Sequence, residues 1–331
     1  MHTTDSSARI GIIGLGVYLP EKILTNADLE KMIDTSDEWI KTRTGISQRR
    51  IASPEMAASD LAAYAATAAI KNARIKKEDI GLIIVATITP DTMLPSTACF
   101  VQAKLGIKDA ACYDLNAACS GFIFALVSAS QYVAQNNSKY ALIIASEVLS
   151  RVVDWQDRST CVLFGDGAGA AIVGRLKHGG ILSSYMGSDG THADLLKIPA
   201  GGSRIPITHK VLDEKLNFIK MEGNEVFKLA VNSMASAAGK VLTQAGLTSS
   251  DIDLIIPHQA NTRIIYATLK KLHMSKERAF LNIEKYGNMS SASIAVALYE
   301  AVKSGKLKKG NKVLLVSFGG GLTWGAVILE W

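Results

Sequence analysis

The sequence predicts an α/β fold built from two like halves, with a layer of helices held between sheets. Three observations carry this. A long segment recurs: Leu61–Thr87 (LAAYAATAAIKNARIKKEDIGLIIVAT) lies over Ser233–Gln259 (SMASAAGKVLTQAGLTSSDIDLIIPHQ), with Asp79 on Asp251 and Ile80 on Ile252, a shift of 172 residues. Each copy reads as an alanine-rich amphipathic helix, a short polar turn and an apolar strand. Each half also ends in a glycine-rich stretch, FGDGAGAAIV from Phe164 and FGGGLTWGAVIL from Phe318. A period this long, present twice, means two copies of one domain rather than a solenoid. Apolar strands alternating with amphipathic helices give mixed α/β layers. Helices rich in Ala, Ser and Gly suit the close packing of a central layer.

The repeat orders the remaining elements. At the same shift Asn116 falls on Asn288, Cys119 on Ser291, and Leu142-Ile143-Ile144 on Leu314-Leu315-Val316. At the glycine-rich stretches the shift drops to 154, which places an insertion in the first half around Ser150–Thr160. Ser188–Leu216 has no match in the first half and carries Pro199 and Pro206, so it reads as a long loop or cap. The expected halves are residues 1–180 and 181–331.

Composition excludes several classes. Of 331 residues, 48% are hydrophobic and 20% charged, which excludes a disordered chain, a collagen and a coiled coil. Four cysteines exclude a disulfide scaffold. No apolar run reaches the ~18 residues of a membrane span. The opening MHTTDSSARI lacks the cationic and apolar regions of a signal peptide. A cytoplasmic protein with reduced cysteines is expected. The net charge of +6 suits solubility or an acidic, phosphate-bearing partner. The charge is spread thinly and no recognition motif appears, so nucleic acid is not expected.

The four cysteines, Cys99, Cys112, Cys119 and Cys161, form no CxxC pair, which argues against zinc. A cysteine is by default a small buried hydrophobe. Cys119, in YDLNAACSGFIFALVSAS, differs. Tyr113-Asp114-Leu115 reads as a strand end and the residues from Ser120 as a helix. The sulfur then lies at a strand-to-helix turn, where a helix N-terminus favours negative charge and lowers a thiol pKa. This is the mechanics of a nucleophile elbow with sulfur for oxygen.

A nucleophilic Cys needs a base or charge partner. His2 sits in the tail, His178, His192 and His209 in polar loops, and His273 after a helix; all read as surface residues. His258 follows the strand IDLIIP directly, at the carboxyl end where open α/β folds gather active residues. Asn288 is the repeat's counterpart of Asn116. With the halves related by a pseudo-twofold axis, its turn faces the Cys119 turn. Its amide can then donate to a developing oxyanion; the plainer alternative is a helix cap. Phe318-Gly319-Gly320-Gly321 lets backbone N–H groups approach a carbonyl oxygen, although tight turns use such glycines too.

These residues resemble a known family, the β-ketoacyl-acyl-carrier-protein synthases III, condensing enzymes of the thiolase superfamily. The resemblance spans essentially the whole chain. It is carried by TNADLEKMIDTSDEWIKTRTGI (Thr25–Ile46), DLNAACSGF (Asp114–Phe122), FGDGAGA (Phe164–Ala170), MEGNEVFK (Met221–Lys228), PHQANTRI (Pro257–Ile264), GNMSSAS (Gly287–Ser293) and FGGGLTWG (Phe318–Gly325), in order. It implies a duplicated five-layer αβαβα fold and a homodimer. The implied triad is Cys119, His258 and Asn288, with the Cys119 and Gly320 N–H groups as oxyanion hole. Asn in the third position, rather than a second His, implies the initiating class, in which an acyl-CoA, most simply acetyl-CoA, is condensed with malonyl-acyl-carrier protein. Malonyl decarboxylation drives that reaction, so the resemblance implies no metal or redox cofactor.

The resemblance also assigns binding residues. Trp39 and Arg158 sandwich the adenine of CoA, Thr35 bonds the base, and Arg43 meets the phosphates. Gly223, Phe227 and Asn261 line the pantetheine tunnel. Gln259, Ala260, Asn261, Thr262, Arg263, Lys270 and Lys271 form the carrier-protein face; Arg263 and Lys270 are spaced to share one side of a helix. Met93 and Leu94, in the loop Thr89–Ser96, help close the acyl pocket of the partner subunit. Two alternatives stand beside this reading. One is a secondary-metabolism condensing enzyme with another starter or acceptor. The other is a noncatalytic carrier-binding relative, against which the complete triad argues. A thiolase is disfavoured because no Cys follows Cys161.

Overall fold

The computed structural model describes residues 9–135 and 139–331; His2 and most of the opening segment lie outside them. The first sheet contains β1 (Arg9–Tyr18), β2 (Ile80–Ala86), β3 (Ala111–Leu115), β4 (Tyr140–Glu147) and β5 (Gly167–Leu176). Its spatial order is β1-β5-β4-β2-β3, with β2 parallel to β3 and β4, and β5 antiparallel to β4 and β1. The second contains β6 (Gly180–Ser188), β7 (Leu254–Pro257), β8 (Lys312–Gly319) and β9 (Thr323–Glu330), in the order β6-β9-β8-β7. Order and sense repeat strand for strand. The place of a fifth strand is taken by a single parallel bridge, Ile255 with Ala279.

Helices fill three layers. Helix α1 (Ala58–Ala73) and α2 (Thr97–Leu105) cover the outer face of the first sheet. Helix α4 (Gly223–Ala245) and α5 (Thr262–Lys271) cover the outer face of the second. Between the sheets lie α3 (Gly121–Gln135) and α6 (Ala292–Lys303). Their sequences explain the placement. GFIFALVSASQYVAQ and ASIAVALYEAVK are apolar or small almost all round, and such helices are stable only when buried on every side. One apolar cluster joins α3, α6 and the inner faces of both sheets. The duplicated α/β fold expected from the sequence is therefore present, with its helical layer between the sheets.

The departures from symmetry build the site. Residues 148–166 join β4 to β5, whereas residues 320–322 join β8 to β9; the longer connection holds the expected insertion. The segment after β6 does form a cap, from a short helical turn, Gly190–Leu195, and a helix, His209–Asp213. The first half has an excursion at the same point, residues 19–57 between β1 and α1, containing the helix Asp37–Thr44. The sequences of the two caps diverged, so the repeat was invisible there while the topology kept it.

Candidate active site

The strand-to-helix turns of the two halves meet between the sheets, and they are built alike. Ala118 has φ 45° and Ser290 has φ 46°, a matched left-handed kink before Cys119 and Ser291. An Asn closes each turn: the Ala118 N–H donates to Asn116 Oδ1 at 3.3 Å, and the Ser290 N–H to Asn288 Oδ1 at 2.8 Å. The second bond decides the amide's orientation. With Oδ1 engaged, Asn288 presents its Nδ2 donor to the site. The Asn288 backbone is clamped by Leu163 and Gly165, whose C=O and N–H it pairs with at 2.8 and 3.0 Å.

Cys119 is held from the opposite half. The Ser317 hydroxyl donates to the Cys119 carbonyl at 2.8 Å, and the Thr323 hydroxyl to the Ala117 carbonyl at 2.8 Å. Gly319 lies directly against this turn: a Cβ there would come within 2.6 Å of the Cys119 nitrogen, so only glycine fits. His258 emerges at the end of β7, its N–H bonded to the Val316 carbonyl at 2.8 Å. It is 2% exposed, and neither ring nitrogen has a protein partner. A buried imidazole without partners is an unfilled hydrogen-bonding position facing the cavity.

Electrostatics correct one expectation. Burial pushes the Cys119 thiol up to about 12, against the helix N-terminus expected to lower it. Burial also holds His258 down to about 3, so its imidazole is neutral. The resting pair is thiol and imidazole rather than thiolate and imidazolium. Alkylation of Cys119 by iodoacetamide should therefore climb without levelling between about pH 7 and 9. A plateau near pH 7 would contradict this state.

Cys119, His258 and Asn288 line one cavity of about 1240 Å³, with Gly320, Trp39, Arg43, Gly223, Phe227, Ala260, Asn261 and Arg263 also in its wall. The remaining expected residues fall elsewhere. Gln259 is fully buried; its amide bonds the Pro257 and Phe280 carbonyls and the Asn282 and Ile283 N–H groups. It braces the loop after His258 and cannot meet a carrier protein. Thr262 packs against Gly45, Lys270 and Lys271 are exposed on α5, and Lys271 bonds Asn232 at 2.6 Å. Thr35 has a buried hydroxyl without a partner. Arg158 stacks on Trp39 itself, 4.4 Å from the ring centroid, and donates to the Asp34 carbonyl at 2.8 Å. A base between the two would need roughly double that separation. Met93 and Leu94 are 83% and 86% exposed and do not line this chain's cavity.

Sequence reading missed Ser317 and Thr323, because their role lies in hydroxyl bonds to a turn some 200 residues away. It also missed Glu147, fully buried at the end of β4 and bonded to the Ser291 hydroxyl at 2.9 Å. Among the described residues no cluster of His, Cys, Asp or Glu has the makings of a metal site, and no helix is long and apolar enough to cross a membrane.

Comparison with known proteins agrees with this geometry. The family models for 3-oxoacyl-[acyl-carrier-protein] synthase III match residues 113–190, and its C-terminal part residues 242–331. The chain is 56% identical to the β-ketoacyl-[acyl-carrier-protein] synthase III of Caldanaerobacter subterraneus, over 97% of each chain. It is 52% identical to that of Clostridioides difficile, over 98% of this chain and 99% of the relative. Among solved structures, the 3-oxoacyl-[acyl-carrier-protein] synthase III of Aquifex aeolicus superposes with TM-score 0.91 at 49% identity, covering 97% of this chain and all of that one. The priming β-ketosynthase of the R1128 polyketide pathway gives 0.91 at 34% identity, covering 99% and 98%. With paired turns around a buried Cys, His and Asn, and relatives this similar over nearly its full length, the chain belongs to the β-ketoacyl-acyl-carrier-protein synthase III family of condensing acyltransferases.

Proposed function

We propose that this enzyme condenses acetyl-CoA with malonyl-acyl-carrier protein, releasing CoA and CO2 and forming acetoacetyl-acyl-carrier protein. The observation that carries the reading is the convergence of Cys119, His258 and Asn288 on one cavity of about 1240 Å³. Cys119 Sγ attacks the acyl carbon of acetyl-CoA while its proton passes to neutral His258. The tetrahedral oxyanion rests on the Cys119 and Gly320 N–H groups. Its collapse breaks the C–S bond, and CoA leaves with the proton. In the second half-reaction the malonyl C–C bond to its carboxylate breaks and CO2 leaves. The electron pair moves toward the thioester oxygen, which accepts hydrogen bonds from His258 and Asn288 Nδ2. The carbon then attacks the acetyl carbonyl, the tetrahedral intermediate collapses with cleavage of the Cys119 Sγ–acyl bond, and the departing thiolate takes up one proton from solvent to restore the thiol. Decarboxylation drives the step, so no metal or redox cofactor enters the scheme.

For CoA, Arg158 swings off Trp39 to admit the adenine between them, Thr35 supplies its unpartnered hydroxyl, and Arg43 meets the phosphates. Gly223, Phe227 and Asn261 line the arm's path. Arg263, Lys270 and Lys271 receive the acidic carrier. Residues 1–180 and 181–331 are the two pseudo-twofold halves. We place the enzyme in the cytoplasm, as a homodimer; the dimer is supported by the edge strand β3 with its exposed Tyr113, and by the bare Met93 and Leu94. These two residues close the partner's acyl pocket and set starter length. The likeness to a polyketide priming ketosynthase keeps longer starters, and a secondary-metabolism role, as a second reading.

A reconstituted assay tests the reaction: acetoacetyl-carrier forms only when malonyl-carrier is supplied, and Lys270→Glu lowers kcat/KM for that carrier about tenfold at low salt. Free acetate without malonyl-carrier would instead mark a thioesterase.

A further inference from the structure

Glu147 is a buried acid for which the scheme above has no use. It ends β4 in the first half and reaches the Asn288–Ser291 turn of the second. One oxygen, Oε2, accepts from the Ile88 N–H at 3.1 Å and the Thr89 hydroxyl at 3.0 Å, with the Thr87 hydroxyl at 3.3 Å. The other, Oε1, lies 2.9 Å from Ser291 Oγ, and that hydroxyl lies 3.0 Å from the Ala86 carbonyl.

Two assignments satisfy these contacts: the Ser291 proton goes to Oε1 of an ionised Glu147, or to the Ala86 carbonyl. A serine hydroxyl has one proton to donate, and a backbone carbonyl has none. Ser291 Oγ faces two oxygens at hydrogen-bond distance. If its proton goes to Ala86, the short contact with Oε1 needs a proton from Glu147. The surroundings favour this second assignment. Among the described residues no lysine, arginine or histidine forms an ion pair with Glu147. Burial raises its pKa, and an unpaired buried carboxylate is costly. Among the described residues the groups facing it include hydroxyls and N–H groups from residues 87–89 and from Ser290 and Ser291, and the ionisable Cys119 thiol.

We propose that Glu147 is a positioning residue held as a neutral carboxylic acid, which ties the Asn288 turn to the start of the acyl-pocket loop without placing a negative charge beside Cys119. The inference rests on the reading of Cys119 and Asn288 as site residues. An ionised carboxylate here raises the Cys119 thiol, and it would repel the thiolate and the enolate as they form. The acid makes the same hydrogen bonds without that penalty. Asn288 and Ser291 share one turn, so losing the tie shifts the amide that meets the enolate oxygen.

Infrared difference spectroscopy of wild type against Glu147→Gln reads the proton directly. At neutral pH it should show the carbonyl band of a protonated carboxyl group. Glutamine can donate to Ser291 and accept from Ile88 and Thr89. Glu147→Gln should thus retain most of the condensation rate and leave the pH profile of Cys119 alkylation unmoved. Glu147→Ala should lose condensation about a hundredfold, as expected for a misplaced catalytic group. A carboxylate band, a Gln variant as slow as Ala, or a Gln profile shifted to lower pH would each overturn the proposal. If wild type itself failed to condense, the reading of the site would fall, and the infrared band would still decide the state of Glu147.

Discussion

Cys119→Ala should abolish loading from acetyl-CoA, with a loss of at least ~10⁴-fold in overall condensation, because the step loses its only nucleophile. The fold should survive. Cys119 sits in a turn held by backbone and hydroxyl bonds, from Ser317 to its carbonyl and from Thr323 to that of Ala117, and none of these uses the sulfur. Circular dichroism and the unfolding midpoint should stay close to wild type. Loading that persisted in the variant would move the acyl site to another residue.

The second large effect separates the half-reactions. His258→Ala and Asn288→Ala each remove a donor from the position where enolate charge develops. Loss of one such donor costs about 10²–10³-fold, roughly 3 to 4 kcal/mol. Asn288→Ala should slow decarboxylation of malonyl-carrier by that factor and leave acyl loading within about tenfold, since its amide faces the second substrate's oxygen. His258→Ala should also slow loading, because the thiol held up at about 12 needs a proton acceptor. Carbon dioxide release and acyl-enzyme formation, followed separately, check the division. Equal losses in both steps for Asn288→Ala would contradict it.

Much of this was legible in the chain because duplication makes one half a map of the other. The shift that put Asn116 on Asn288 anticipated two matching turns, and the structure has both, down to the paired kinks at Ala118 and Ser290. His258 was legible from the end of an apolar strand. What stayed hidden depends on distant chain. The thiol's environment is set by burial beneath the β8–β9 turn, which outweighs the helix N-terminus that local sequence advertises. Gln259 reads as part of a surface motif, yet four backbone partners around it make it an internal brace. Glu147 ends a strand in a sequence without a motif, and only the fold brings it to Ser291. Trp39 and Arg158 lie together as the resemblance implied, and with nothing between them the aromatic and the guanidinium stack on each other.

Intact-protein mass spectrometry of the wild-type enzyme, first with acetyl-CoA and then with malonyl-acyl-carrier protein, tests the central claim most directly. The account predicts a single acetyl adduct on the Cys119 peptide, discharged by malonyl-carrier as acetoacetyl-carrier appears. An enzyme that takes no acyl group from any CoA thioester, or whose adduct malonyl-carrier leaves in place, would contradict it.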